Sequence, residues 1–234
     1  MIKIENVVTP SPAQWERIIM GMRNPKNSWD KSDSYKTYIE DPATLQTADF
    51  EFFIGENDMK LMKNLATAGR DHRKYMRMIP VYVDITAPLF WWKEFDTYKV
   101  GTVRNSCSTM HKIHVKEFTY DDFAHEGIDA VSNVFPMLKE TFHDYIDCLD
   151  WLRIKFNETQ KKEYWRALIE MLPDGFMMKA TVMLNYEVLA NMYHARKAHK
   201  VDEWVEFCKW IETLPYSVII TGLVVTFKFK ESEE

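Results

Sequence analysis

The seven glycines of this 234-residue chain, Gly21, Gly55, Gly69, Gly101, Gly127, Gly175 and Gly222, stand far apart from one another. Dinucleotide-binding and P-loop folds need clustered glycines, because only a backbone without Cβ atoms lets its amides close on phosphate groups. Those folds are therefore excluded, and any nucleotide chemistry must use a site of another design. The cysteines Cys107, Cys148 and Cys208 are odd in number and widely spaced, so no disulfide framework is expected and a reducing, cytoplasmic setting fits. No C-x-x-C or H-E-x-x-H occurs. His111 and His114 sit in or beside an alternating stretch, Ile113 to Phe118, that reads as a strand. Their side chains would diverge, and no metal site is expected.

A net charge of -5 with 14% aromatic and 46% hydrophobic residues describes a folded chain with a sizeable core, and argues against a general nucleic-acid partner. The longest near-apolar stretch, Tyr216 to Phe227, has about 12 residues against the ~20 of a membrane span. Met1-Ile2-Lys3-Ile4-Glu5 lacks the apolar run of a secretion signal.

Along the chain, Ser11-Pro12-Ala13-Gln14 is a capping box that opens a helix to about Met22. Asn24 to Thr47 reads as a long polar loop. Asn57-Asp58 is expected to cap a helix that Gly69 ends. Ile79 to Ile85 alternates as a strand, Ala87-Pro88 stops it, and Leu89 to Phe95 follows as a short apolar helix, with a loop running on through Thr109. Helices are expected at 134–156, 159–172 and 186–198, and again from about His199 to Leu214-Pro215. Phe176 to Leu184 and Val224 to Lys230 are expected strands. With no composition break marking a linker, residues 1–234 read as one mixed α+β domain.

Two segments carry unusual chemistry. Ala87 to His111 sets an aromatic cluster, Phe90-Trp91-Trp92, beside a loop dense in hydroxyls, amides and cations, which suits a phosphate or a carbonyl-rich ring as well as it suits a packed helix with a solvated loop. Asn185 to Arg196 places two asparagines and an arginine along one helix.

The order of these segments resembles the flavin-dependent thymidylate synthase family. Leu172-Pro173, Asn185, Asn191 and Arg196 keep the family's spacing of a Leu-Pro, an Asn, a second Asn six residues on and an Arg five beyond. Glu203-Trp204 and Glu206 follow where the family has Gln-Trp-Glu, and Ala66 to His72 stands where it has a Gly-His pair. The similarity spans about Leu61 to Leu214. The family's R-H-R, however, falls on Thr97-Tyr98-Lys99, its Gln on Glu94, and its signature serines on Thr102 and on Cys107 or Ser108. Its last signature arginine has no counterpart among Thr109 to His111. Arg104, Lys99, His111 and Lys112 restore positive charge, but a lysine is a point charge and lacks the fork of a guanidinium.

The resemblance implies a thymidylate synthase-complementing-protein-like fold, with a central, largely antiparallel sheet flanked by long helices. It implies an FAD-bound homotetramer with sites at subunit interfaces, converting dUMP to dTMP with methylenetetrahydrofolate and NADPH. Carried over residue by residue, Arg196 is catalytic and faces the uracil. His72, Asn185 and Asn191 contact the flavin, Tyr98, Lys99 and Thr102 lie along FAD, and Glu94, Arg104, Ser108 and His111 lie near the nucleotide. Cys107 is not needed by the family's flavin route. Related readings are a change of pyrimidine substrate, hydroxymethyl transfer, or a binder of nucleotide or flavin without catalysis.

Overall fold

The computed structural model describes residues 1–40 and 47–222; the strand expected at Val224 to Lys230 lies outside the described residues. In chain order the strands are β1 (Lys3–Val8), β2 (Tyr35–Glu40), β3 (Thr47–Phe53), β4 (Pro80–Pro88), β5 (Val103–Ser106) and β6 (Met177–Asn185). The helices are α1 (Pro12–Arg23), α2 (Glu56–Thr67), α3 (Leu89–Phe95), α4 (Glu126–Ser132), α5 (Met137–Thr159), α6 (Lys162–Met171), α7 (Tyr186–Arg196), α8 (Asp202–Glu212) and α9 (Val218–Thr221). The central sheet has the order β1-β4-β6-β5 and every pairing in it is antiparallel, as expected.

β4 and β6 pair over nine residues each, from Pro80 opposite Asn185 to Pro88 opposite Met177. The two prolines of β4 stand at its ends, where a missing N–H disturbs the ladder least. Val81, Val83, Ile85 and Ala87 alternate with Met178, Ala180, Val182 and Leu184 on a buried face that packs on α1, α2, α3, α7, α8 and α9. The opposite face is polar. There Thr181 Oγ1 (2.6 Å) and Asn6 Nδ2 (2.9 Å) donate to Asp84, and Lys179 pairs with it at 3.2 Å. Asn6 has a positive φ of 53°, where β1 bulges against β4, a conformation that asparagine tolerates better than most residues.

A second apolar cluster lies outside the sheet. Leu149, Leu152 and Ile146 of α5, Leu168 of α6, and the loop residues Ile113, Phe118 and Phe123 are buried together. The longest helix, α5 with 23 residues, packs here and not on the sheet. Ile113 to Phe118 is therefore not a strand. Its two apolar ends plug into this cluster, and the Phe118 N–H donates to Asp150 Oδ1 at 3.1 Å.

The expected loop at Asn24 to Thr47 is also corrected. Two single 3-10 turns, Asn24–Lys26 and Trp29–Lys31, lead into β2, which pairs with β3 as a two-stranded ribbon. Cross-strand aromatics hold it, with Tyr35 stacked on Phe53 at 5.3 Å. The edge strands β1 and β5 escape sequence reading because they are mostly exposed and carry no buried alternation.

The first turns of the chain are tied together by an ion pair removed from water. Arg23 Nε meets Asp58 Oδ1 at 2.6 Å, with Asp58 fully buried. The other oxygen of Asp58 accepts from Ser32 Oγ (2.6 Å) and Ser34 Oγ (2.7 Å), and Arg23 Nη1 donates to the Ser28 carbonyl at 3.1 Å. Asp58 is thus not the cap of α2. Gly55 occupies the N-cap position, and the Asp33 carboxylate takes the Asn57 and Asp58 N–H groups at 2.8 and 3.1 Å.

Two outcomes are expected. Asp58→Ala strands a buried guanidinium and should lower stability by about 3–5 kcal/mol in urea unfolding, whereas the double change Arg23→Met/Asp58→Leu should cost much less. The hydrogen bonds from Thr181 and Asn6 and the bond and charge of Lys179 depress the Asp84 carboxyl from 3.8 to about 2. Its stabilising effect is full above pH 4 and is lost as pH falls through 2, so acid unfolding in that window should flatten in Asp84→Asn.

Candidate functional site

α3 leaves the end of β4 as a block of rings. Trp91, Trp92 and Phe95 are buried, with Trp91 edge-on to Trp92 at 5.0 Å and tilted on Trp204 of α8 at 4.8 Å. Such pairs add to the large area that each ring already buries, so the block is a stiff mount for whatever projects from it. Glu94 and Tyr98 project from it, and they meet Arg196, the last residue of α7.

Arg196 is held through two of its three guanidinium nitrogens and through its flat face. Its Nε donates to Tyr98 Oη at 3.0 Å, its Nη1 pairs with Glu94 Oε2 at 3.2 Å, and its guanidinium lies over the Trp204 ring at 5.0 Å. Trp204 is completely buried, and its indole N–H donates to Glu94 Oε2. His199 closes the group, with Nε2 at 3.0 Å from Arg196 Nη1 and 3.7 Å from Glu94 Oε2, while the Val201 N–H points at its Nδ1 at 3.2 Å. A neutral imidazole has one acceptor nitrogen, so only one of the two donors facing it is bonded in a given tautomer. The sequence reading named Glu94, Tyr98 and Arg196 and missed His199. It lies just past the end of α7, where its N–H bonds back to the Arg196 carbonyl at 3.0 Å, and nothing in its own sequence neighbourhood marks it.

Asn185 and Asn191 do different work. Asn185 is the N-cap of α7, its Oδ1 accepting from the Val188 N–H at 3.0 Å. Gly101 presses against it: a Cβ there would overlap Asn185 Nδ2, and the backbone has a φ of +84°. Asn191 Oδ1 accepts from Arg73 Nη2 at 3.0 Å, and Arg73 and Arg77 both grip the buried carboxylate of Glu187. Burial pushes the Glu187 carboxyl up, but the two arginines outweigh it and hold it below the usual range. His72 itself is exposed in a depression beside Asp71 and Tyr75; its neighbour Arg73 is the residue that reaches Asn191.

The loop that follows is split. Lys99 is exposed. Thr102 Oγ1 and Arg104 Nη1 are buried polar atoms with no hydrogen-bond partner among the described residues. Arg104 pairs with Asp96 at 3.0 Å and lies 4.9 Å over Trp92. Ser108 Oγ accepts from the Met110 and His111 N–H groups at 3.3 and 2.8 Å, and His111 is exposed. Cys107 is exposed too, its N–H bonded to the Lys179 carbonyl at 2.9 Å. Cys107, Ser108, Thr109, Lys112, Phe176 and Lys179 help line a cleft of about 640 Å³. His114 does not accompany His111 on a strand; its ring packs against Phe156 at 4.8 Å.

Distance separates these groups within one chain. Cys107 sits beside Lys179, whereas Gly101 sits against Asn185, six residues further along β6. At ~3.3 Å per strand residue that is about 20 Å. Glu94, Tyr98 and Arg196 are gathered in one place, Asn185 meets Gly101 at the end of β6, and Ser108 helps line the cleft at its start, beside the Met178 carbonyl that accepts the Trp92 indole N–H at 2.9 Å.

No family model and no curated protein matches the sequence. Solved structures do match. A crystal structure of thymidylate synthase X from Helicobacter pylori with FAD and dUMP has a TM-score of 0.61 at 13% identity, over 94% of this chain and 95% of that one. A second structure of the flavin-dependent enzyme from the same organism, complexed with FAD and dUMP, matches at a TM-score of 0.61 and 14% identity, over 94% of this chain and 96% of the other. The chain therefore has the fold of flavin-dependent thymidylate synthase over nearly its whole length.

Gly101 makes this site testable without touching a ligand group. Gly101→Ala puts a side chain into a left-handed backbone and against the Asn185 amide, so thermal unfolding should show a loss of more than ~1 kcal/mol. Gly127→Ala, where a Cβ meets nothing within 4 Å, should not be destabilising.

Proposed function

We propose that the protein is a flavoenzyme that transfers a one-carbon unit to C5 of a pyrimidine nucleotide, in the manner of the FAD-dependent reductive methylation of dUMP to dTMP with methylenetetrahydrofolate and NADPH. The observation that carries this reading is the fixing of Arg196 by Glu94, Tyr98, His199 and Trp204, at the position where the family's arginine faces the pyrimidine. A preorganised guanidinium needs no reorganisation when negative charge develops on a ring carbonyl, and this is the electrostatic contribution that such a reaction asks of its protein.

The residues present suit FAD. Thr102 Oγ1 is a buried polar atom lacking a partner among the described residues, as expected of a group that meets a ligand's oxygens. Asn185, Asn191, Tyr98, Lys99 and Thr102 would hold it, with His72 and its neighbour Arg73 at the rim. FAD, when bound, supplies the redox chemistry of the transfer. Arg196 orients the base and polarises it; Glu94 contacts the base or sugar; Arg104, Ser108 and His111, helped by Lys112, receive the rest of the nucleotide. No step requires the Cys107 thiol.

By the family resemblance, the site would be completed by another copy of the chain, as in a homotetramer with active sites at subunit interfaces. Light scattering on the purified protein reads the oligomeric state directly.

The test is the visible absorption spectrum with FAD, followed by addition of NADPH and nucleotide. A bound flavin band that bleaches with NADPH and turns over with a pyrimidine nucleotide and methylenetetrahydrofolate is the expected result. Arg196→Ala should lower turnover by about 10²–10³-fold or more while the flavin band persists. Full activity in that variant, or a protein that ignores FAD, contradicts the assignment.

A further inference from the structure

Glu94 is the residue at this site that departs most sharply in chemistry from the family's pattern, which has glutamine there, and its surroundings define what it does. The contacts of its side chain all run through one oxygen: Oε2 takes the Trp204 indole N–H, Arg196 Nη1 at 3.2 Å and His199 Nε2 at 3.7 Å. Its Oε1 accepts nothing from the described residues, and the side chain is 39% exposed. Arg196 is arranged likewise. Nε and Nη1 are engaged, and Nη2 meets no acceptor among the described residues. The pair thus leaves one acceptor, Oε1, and one donor, Nη2, without protein partners among the described residues, with the ring of Tyr98 5.7 Å from the guanidinium.

We infer that this pair reads the base and selects a cytosine nucleotide over a uracil nucleotide. The inference rests on the pyrimidine-nucleotide reading above and specifies its substrate. A glutamine amide turns to present either its N–H or its oxygen, so it serves uracil and cytosine alike. A carboxylate accepts and cannot donate. Cytosine presents an N4–H donor next to the N3 and O2 acceptors, and an acidic side chain accepting from N4 is the complementary partner for that edge. With N4–H on Glu94 Oε1, both N3 and O2 face the guanidinium, and every neighbouring contact is attractive.

Uracil presents its N3–H between two carbonyl oxygens. With N3–H on Glu94 Oε1 and one carbonyl on Arg196, the second carbonyl is brought against the carboxylate, oxygen to oxygen. Placing O4 on Glu94 pairs two acceptors outright. The indole bond and the ion pair hold Oε2 in place, so the carboxylate cannot turn away to relieve either contact.

Isothermal calorimetry of dCMP and dUMP against the full chain, with FAD in the buffer, tests this. Wild type should bind dCMP more tightly than dUMP by about ten-fold or more, the discrimination expected of a good two-point contact to a base edge. Glu94→Gln should bring the two dissociation constants to within about three-fold. Glu94→Asp, which keeps the acceptor, should retain the preference for dCMP at weaker affinity; it also covers failure of the glutamine variant to fold, checked by circular dichroism. Equal or tighter binding of dUMP by wild type overturns the inference and leaves the pyrimidine-nucleotide reading standing. Absence of binding by both nucleotides to folded protein overturns both.

Discussion

The antiparallel pairing of β4 with β6 is the constraint on which the candidate site depends. Its register puts the start of β6 beside the end of β4, so the chain leaves the two strands at opposite ends of the sheet. α3 departs after Pro88, carries Glu94 and leads into the turn that holds Tyr98; α7 departs after Asn185. The 11 residues of α7 rise about 16 Å, which returns the chain along the sheet and sets Arg196 against Tyr98 and Glu94. Asn185 makes this turn of direction possible, since it caps the helix at the point where Gly101 passes with no side chain. Strand length, helix length and one close backbone approach therefore determine where the guanidinium sits, and the aromatic block under α3 makes that position stiff.

What the sequence revealed follows from this layering. The buried faces of β4 and β6 show alternation, and α1 shows its capping box, so these elements are legible: the Ser11 and Gln14 bonds form as read. Strands that lie at an edge bury little and leave no periodic trace, which is why β1, β2, β3 and β5 are not evident. The alternation of Ile113 to Phe118 misleads for the converse reason, because two apolar residues five apart can anchor a loop in a core as readily as they can mark a strand face. Asp58 misleads too. A cap and a buried counter-ion are both acidic residues at a helix start, and only the partner, Arg23, distinguishes them.

At the site, Glu94, Tyr98 and Arg196, all named through the family resemblance, came together. Other residues named through the substituted signature were dispersed, since that loop crosses about 20 Å of sheet between Gly101 and Cys107. Arg73, Trp204 and His199 reach the site residues from other segments. Nothing in their own neighbourhoods marks them, although Trp204 stands at a position that the family resemblance already picks out.

The distribution of charge bears on recognition. Arg23, Arg73, Arg77, Arg104, Arg153 and Arg196 each face a carboxylate of the protein, leaving Arg104 Nη1 and Arg196 Nη2 as guanidinium nitrogens without a partner near the candidate site among the described residues. Lys112, Lys116 and Lys179 line the cleft at Cys107 and Ser108. A phosphate held there would meet point charges, which attract without fixing orientation and which salt screens readily. On the proposed reading, orientation of a nucleotide comes chiefly from its base. That burden falls on Arg196 and Glu94, and because the Trp204 indole and the guanidinium both hold Glu94 Oε2, the carboxylate stays in place when a ring arrives. On the proposed reading, a ring edge that gives Glu94 an amino N–H and Arg196 its acceptors is bound by the whole pair, whereas one that brings a carbonyl oxygen against the carboxylate gains the arginine and meets repulsion.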